Sequence, residues 1–118
     1  MRNAIEDIIA ERKRQKREER FDEAHDDDHA NGELAAAAGC YALHAHDDLS
    51  KCRYPDGPAW WPFDGKWWKP KTPRQNLVRA AALIVAEIER LDRAGLKLTP
   101  EQERHAQFMG GIGDEVWD

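Results

Sequence analysis

The segment "EAHDDDHANGELAAAA", residues 23–38, holds the densest set of side chains that could do chemistry. Two histidines flank three consecutive aspartates, and a glutamate opens the alanine-rich stretch that follows. Carboxylates combined with an imidazole suit Mn²⁺, whereas Mg²⁺ would be held mainly by the carboxylates. The candidate metal ligands in this segment are Asp26, Asp27, His29 and Glu33. Acids at a helix start also satisfy free N–H groups and complement the helix dipole, so the sequence leaves both interpretations open.

A second acidic group lies on the longest predicted helix, in the segment "AEIERLDR". At about 100° per residue, Asp92 falls near one edge of the apolar stripe and Glu87 lies on the other flank. A carboxylate beside a packed face needs a partner, because burying an isolated charge is very costly. That partner is a metal or an arginine, and an arginine of the first helix would serve. If the two acidic groups meet across a helical bundle, Glu87 and Asp92 complete the metal site.

Composition and charge favour one small folded domain covering residues 1–118, with 41% hydrophobic and 35% charged residues. The apolar residues occur in periodic blocks, which favours a packed core over disorder. Because that core is small, a homo-oligomer is a reasonable route to added stability. The net charge of −5 argues against general nucleic-acid binding. We expect no membrane span and no secretory signal, and two cysteines without CxxC spacing fit a reduced, cytoplasmic chain.

The hydrophobic periodicity predicts an all-α fold, a small bundle of about four helices with an irregular insert rich in tryptophan and proline. The predicted helices lie near residues 3–20, 28–46, 73–94 and 99–108, the insert covers 47–72, and a glycine-rich tail, expected to be mobile, covers 109–118. On the third helix an apolar stripe recurs at steps of three or four, and we expect it to face the core. Its members are Leu77, Ala81, Ile84, Ile88 and Leu91.

The ends of these helices carry recognisable capping residues. Asn3 is the predicted N-cap of the first helix, Asp28 or Asn31 that of the second, and Thr72 that of the third. Gly95 is the predicted stop of the third helix.

The second helix presents Leu34, Ala38 and Tyr41 on one face, and its alanines would let a neighbouring helix approach closely. The first helix is apolar only in its first turns. We therefore expect its second half to project into solvent or to pack on a partner.

Two clusters could bind a ligand. The insert holds the pairs Trp60-Trp61 and Trp67-Trp68, which either plug the open end of the helical core or form an aromatic platform that stacks a nucleobase. The first helix carries a run of basic residues, which is either a solvated helix face or a surface that contacts phosphate. The candidate ligand-binding residues are Arg14, Trp61 and Trp68.

Several of these motifs together resemble a group of short phage and prophage proteins. The shared motifs are "ER-x-RQ", "HDD-x-H-x-x-GELA-x-AA-x-x-YA", "WP", "WKP" and "LV-x-A-x-ALI-x-AEIERLDR". Here they stand at Glu11-Arg12 with Arg14-Gln15, His25 to Ala35, Tyr41-Ala42, Trp61-Pro62, Trp68-Lys69-Pro70 and Leu77 to Arg93. The resemblance covers about the first four-fifths of the chain, and such proteins mostly carry no established activity. It implies a phage origin and a place in the host cell cytoplasm.

The chain is also similar, more weakly, to the MazG-like all-α nucleoside triphosphate pyrophosphohydrolases. Glu33 opens "ELAAAAGCYA", which resembles the "ELGDxxxYL" helix of that family, with Ala36 at the family's aspartate position. The segment from Glu89 to Asp92 matches the family's ExxD pattern. The resemblance implies that Mg²⁺ or Mn²⁺ binds a nucleoside triphosphate. If the chain is such an enzyme, we expect Asp27 and Glu33 to be its catalytic groups.

Three function hypotheses follow from these features. The first is a metal-dependent enzyme that binds a nucleoside triphosphate and releases pyrophosphate. The second is a non-catalytic phage protein that binds a nucleotide signal or a host defence protein through its tryptophan-rich insert and basic helix. The third, a small DNA-associated protein, is disfavoured by the acidic net charge and by the lack of a helix-turn-helix pattern.

Overall fold

The computed structural model describes residues 3–95 and 100–108, with side chains described up to residue 105. Throughout that part of the chain the regular structure is helical and no strand is present, which confirms the predicted all-α fold. The helices are α1 (Ala4–Glu18), α2 (Glu23–Asp27), α3 (Glu33–Leu43), α4 (Ser50–Arg53), α5 (Pro73–Ala94) and α6 (Pro100–Phe108), with one 3₁₀ turn at Gly65–Trp67. The predicted tail, residues 109–118, lies outside the described residues.

Helix α5 is the element on which α1, α2 and α3 all pack. It starts at a capping box in which the Thr72 side chain accepts from the backbone N–H of Gln75 and the Gln75 side chain accepts from the backbone N–H of Thr72. It ends at Gly95, whose φ of 61° lies in the left-handed region that glycine adopts without strain. The predicted start and stop of this helix are therefore confirmed.

The apolar core lies between α3 and α5, where small side chains face each other. The predicted face of Leu34, Ala38 and Tyr41 is buried, which confirms that prediction. The buried core residues are Phe21, Leu34, Ala37, Ala38, Cys40, Tyr41, Trp68, Ala80, Leu83 and Ala86. Alanines on both helices let the two backbones approach closely.

Burial also raises the pKa of the Cys40 thiol, which keeps it protonated and unreactive.

The predicted helix at 28–46 is divided in the structure by a turn. Helix α2 ends at Asp27, and α3 begins only at Glu33. Neither side chain predicted as a cap serves that role, because Gly32, with φ of 84°, is the N-cap residue of α3. The Glu33 carboxylate instead reaches back and accepts from the backbone N–H of Asn31 at 2.6 Å. A turn that needs positive φ suits glycine, so backbone geometry decides this boundary.

The prediction that the apolar stripe of α5 faces the core was wrong. Leu77, Ile84 and Ile88 are exposed, and the neighbouring faces of the helix pack instead. The buried residues of α5 are Asn76, Arg79, Ala80, Ala82, Leu83, Ala86 and Arg90. Close approach to the alanine-rich α3 requires small side chains, so the alanine face takes the core and the larger residues do not.

The second half of α1 packs on α5 and does not project into solvent. Its two buried side chains, Arg12 and Gln15, are polar. The Gln15 amide donates to the backbone carbonyl of Arg79 at 3.5 Å, which ties α1 to the middle of α5. The α1–α5 contact is therefore built on polar groups.

The insert closes the core mainly with Trp68, against which the partly buried Trp61 packs. Trp68 is completely buried, whereas Trp60 is 81% exposed. The Tyr41 hydroxyl fixes the chain beside this plug, since it accepts from the backbone N–H of Lys69 at 3.1 Å. The interpretation of the tryptophans as a plug is confirmed for Trp68. Within the insert, Asp64 caps a 3₁₀ turn at Gly65–Trp67.

We predict that Trp68→Ala lowers the free energy of unfolding by about 3–5 kcal/mol, because it empties the space at the end of the core. Trp60→Ala is the matched control and should stay within about 0.5 kcal/mol of wild type. Both values come from denaturant unfolding followed by circular dichroism. Equal losses in the two variants would contradict the assignment of Trp68 as the plug.

A second prediction concerns high pH, because burial raises the pKa of the Tyr41 hydroxyl above its ordinary value. The unfolded chain loses this proton near its ordinary pKa of about 10, before the folded chain does. The stability that the neutral hydroxyl contributes is therefore complete below about pH 10 and is lost as the pH rises through the raised pKa. The loss of unfolding free energy between about pH 9 and 11 should be smaller in Tyr41→Phe. Parallel pH curves for both proteins would refute this.

Candidate functional site

The predicted ligand Asp26 meets Glu89 of α5, which was not among the predicted ligands, through the Arg12 guanidinium that lies between them. Its Nη2 atom lies 2.6 Å from Oδ2 of the fully buried Asp26. Its Nε atom donates to Oε1 of Glu89 at 3.3 Å, and Nη1 donates to the carbonyl of Phe21 at 2.8 Å. One buried arginine thus joins three segments of the chain.

Two further predicted carboxylates also pair with arginines of α5. Asp27 accepts from Arg93 Nη2 at 2.9 Å, and Glu87 accepts from Arg90 Nε at 2.6 Å. The hydrogen bond from Arg90 to Glu87 raises the pKa of that guanidinium, and the bond from Arg93 to Asp27 does the same at the surface. The sequence left a metal or an arginine as the partner of the α5 carboxylates, and in the structure the partner of Glu87 is an arginine.

The remaining predicted ligands do not gather around a common point. His29 Nδ1 contacts the backbone carbonyl of His25 at 2.6 Å, and Asp92 is exposed near the end of α5. Among the residues that the structure describes, no group of three or more histidine, cysteine, aspartate or glutamate side chains is arranged to hold a metal ion. Ligation of Mg²⁺ or Mn²⁺ by Asp26, Asp27, His29, Glu33, Glu87 and Asp92 stays a prediction, as do the catalytic roles of Asp27 and Glu33.

A basic groove lies between α1 and the N-terminal half of α5, with a volume of about 610 Å³. Six cationic side chains line it against three carboxylates, which gives a local charge of +3 in a chain of net charge −5. The cations are Lys13, Arg14, Arg17, Lys71, Arg74 and Arg79, and the carboxylates are Asp7, Glu11 and Glu18. The sequence singled out α1 as basic, but the α5 half of this groove was not foreseen.

Arg14 is held rigidly in the groove wall. Glu11 accepts from its Nε and Nη2 at 2.6 and 2.8 Å, and Glu19 accepts from Nη2 at 3.2 Å. The hydrogen bond with Glu11 is the main reason that the pKa of Arg14 is raised, so its charge is permanent. Lys13 and Lys71 are exposed and make no ion pair with any residue that the structure describes. Their ammonium groups are the free donors of the groove.

An aromatic cleft of about 390 Å³ adjoins the basic groove, and Glu18 lines both. Its rings are those of Phe21, His25, His29, Phe63 and Trp67, and its carboxylates are Glu18, Glu19 and Asp64. The His25 and His29 rings lie 4.3 Å apart between centroids, and His29 meets Phe63 edge-on at 5.2 Å. The rings therefore form a continuous apolar wall beside polar groups.

The tryptophans chosen from the sequence are not those that line this cleft. Trp68 is buried in the core, and Trp61 donates its Nε1–H to the carbonyl of Asp64 at 3.1 Å. Trp67 lines the cleft instead, with Lys69 Nζ 4.9 Å from its ring centroid. Neighbouring positions in a proline-rich loop carry no periodic signal, so the sequence could not distinguish one tryptophan of a pair from the other.

Comparisons with protein-family models, with curated proteins and with solved structures give no match. None of the described helices is long and apolar enough to cross a membrane. The groove, the cleft and the charge network are therefore the features of this chain that bear on its function.

We predict that Asp26→Ala lowers the free energy of unfolding by about 3–5 kcal/mol, because it leaves the buried Arg12 guanidinium without its partner. Asp28→Ala, at an exposed aspartate two positions away, should change it by less than about 0.5 kcal/mol. The double variant Arg12→Met/Asp26→Leu should recover most of the loss, since it removes both charges. Thermal and denaturant unfolding measure all three. A melting temperature that rises with Mn²⁺ in wild type but not in Asp26→Ala would instead give Asp26 a metal-binding role.

Proposed function

We propose that this protein binds a nucleotide without hydrolysing it, with the phosphates in the basic groove and the base in the aromatic cleft. The observation that carries the proposal is the adjacency of the two cavities across Glu18. Their volumes, about 610 and 390 Å³, both lie in the ordinary range of small-molecule sites.

The groove supplies what a polyphosphate needs. Arg14 uses most of its N–H groups on glutamates and contributes a fixed positive charge. Lys13 and Lys71 contribute mobile ammonium groups, each with three donors. Arg74 adds a guanidinium whose side chain is 61% exposed. Because these cations lie on one face of an acidic chain, an anion is drawn to this surface in preference to others.

The cleft supplies what a nucleobase needs. Stacking of a base on an aromatic side chain contributes about 1–3 kcal/mol, and Trp67 offers the largest ring at the cleft. Glu19 and Asp64 place carboxylates at the same cleft. Carboxylates accept hydrogen bonds from ring N–H and amino groups, so they favour bases that carry such donors.

The arginine pairs favour binding over hydrolysis. Pyrophosphate release by the MazG-like mechanism requires carboxylates that hold divalent metal on the triphosphate. Here Asp26, Asp27 and Glu87 each accept from an arginine at 3.3 Å or less. Ala36 stands where that family has an aspartate. The resemblance to short phage proteins adds a context in which a protein that captures a nucleotide signal would be useful.

The test of the phosphate site is calorimetric titration with ATP and with tripolyphosphate, in low salt and without metal. We expect Lys13→Glu/Lys71→Glu to weaken binding of both ligands at least about tenfold, which is about 1.4 kcal/mol. The matched control, Arg53→Glu/Arg104→Glu, makes the same charge change at exposed positions outside the groove and should bind nearly as wild type does. Failure of wild type to bind either ligand would reject the proposal.

The test of the base site uses Trp67→Ala, with the exposed Trp60→Ala as its control. Trp67→Ala should weaken ATP binding and leave tripolyphosphate binding unchanged, because only ATP carries a base to stack. Equal weakening of ATP and tripolyphosphate binding would contradict the placement of the base in the cleft. Release of pyrophosphate by the wild-type protein with Mg²⁺ or Mn²⁺ would show that it hydrolyses the nucleotide, which would contradict the proposal of binding without hydrolysis.

A further inference from the structure

Helix α5 carries a row of large apolar side chains that faces away from the rest of the molecule. Leu77, Ile84 and Ile88 are 47%, 49% and 52% exposed. Helices α1 and α3 both pack on α5, and the buried α5 residues Arg79, Leu83 and Ala86 lie on the opposite side of the helix from this row. A contiguous apolar surface of this kind marks an interface more often than a solvated face.

The spacing within the row is that of a coiled-coil seam. Leu77, Ala81, Ile84, Ile88 and Leu91 follow one another at steps of four, three, four and three residues. This alternation has a period of 3.5 residues and corresponds to successive d and a positions of a heptad. Helix α5 has 22 residues and is about 33 Å long, and its apolar seam from Leu77 to Leu91 covers about two heptads.

We propose that a second copy of this chain covers the seam, with the two α5 helices antiparallel about a two-fold axis between Ala82 and Leu83. This inference shares Arg74 with the nucleotide proposal but does not require that a nucleotide binds. In this register Leu77 meets Ile88 of the second copy. The small Ala81 meets the large Ile84 of the second copy, and Leu91 meets the aliphatic part of the Arg74 side chain. Each layer therefore combines a d position with an a position, and no layer is empty. A parallel pair would place Ala81 against its own copy and leave a gap.

The charges beside the seam select the same orientation. Arg74 and Asp92 are eighteen positions apart, which is five helical turns, so they lie on the same flank of α5 at its two ends. Within one copy the Arg74 guanidinium pairs with Asp7 at 2.8 Å, and its side chain is 61% exposed. An antiparallel pair brings Asp92 of the second copy close to it as a further partner, and the symmetry repeats this contact at the other end. A parallel pair would place like charges together at both ends. Asp92 is exposed and makes no ion pair with a described residue, so it is available for this contact.

The first test is the mass of the protein in solution by light scattering and sedimentation. We expect wild type to be a dimer and Ile84→Glu, which places a charge at the centre of the seam, to be a monomer with unchanged helical content. Leu43→Glu is the matched control, because Leu43 is 81% exposed on α3 and lies off the seam. A monomeric wild type at its highest soluble concentration would overturn the proposal, as would an Ile84→Glu dimer.

The second test fixes the orientation by disulfide formation, in a Cys52→Ser background that removes the exposed native thiol. In the antiparallel register Leu77 lies about 16 Å along the helix from its own copy, beyond the reach of a disulfide. Leu77→Cys and Ile88→Cys should therefore not cross-link when each is oxidised alone. An equal mixture of the two should give a disulfide-linked heterodimer. Cross-linking of each variant with itself would show a parallel pair and contradict the register.

Discussion

The buried guanidinium of Arg12 is the interaction on which the arrangement of the site depends. It pairs with Asp26 of α2 and Glu89 of α5, which holds α1 against both helices. It also donates a hydrogen bond to the Phe21 carbonyl. A buried arginine is tolerable only when its donors are satisfied, so all three contacts must form together. The chain reaches Phe21 through Arg20, a non-glycine residue with φ of 59°. This sharp turn sets Phe21 and the start of α2 into the wall of the aromatic cleft.

Two different kinds of packing meet on α5. The join with α3 is apolar and depends on alanines that let two backbones come close. The interface between α1 and α5 is polar. Charged side chains span the wider space between these two helices, as in the ion pair of Arg74 with Asp7 at 2.8 Å. The wider gap is the basic groove itself. The same choice of side chains that gives a polar join therefore also gives a cavity able to receive an anion.

The features that could be predicted from the sequence are those set by local chemistry. The N-cap at Thr72 and the stop at Gly95 depend only on residues next to them in the chain, and both were predicted correctly. Periodicity correctly placed Leu77, Ile84 and Ile88 on one face of α5, but the prediction that this face packs in the core was wrong. A period shows which residues share a face and not what covers it. The partner of Asp26 lies fourteen positions away and that of Glu89 seventy-seven, so the selection of arginine over metal depends on the folded chain.

The polar join of α1 has a consequence for how the molecule opens. No member of the apolar core cluster comes from α1, and its buried side chains are Arg12 and Gln15. This helix is therefore a separate unit of local unfolding, whose detachment exposes little apolar surface and is promoted by salt. Its amide hydrogens should exchange sooner than those of the central part of α5. The groove exists only while α1 is docked on α5, so an anion bound there would slow that exchange. Anion binding and the docking of α1 are therefore linked equilibria.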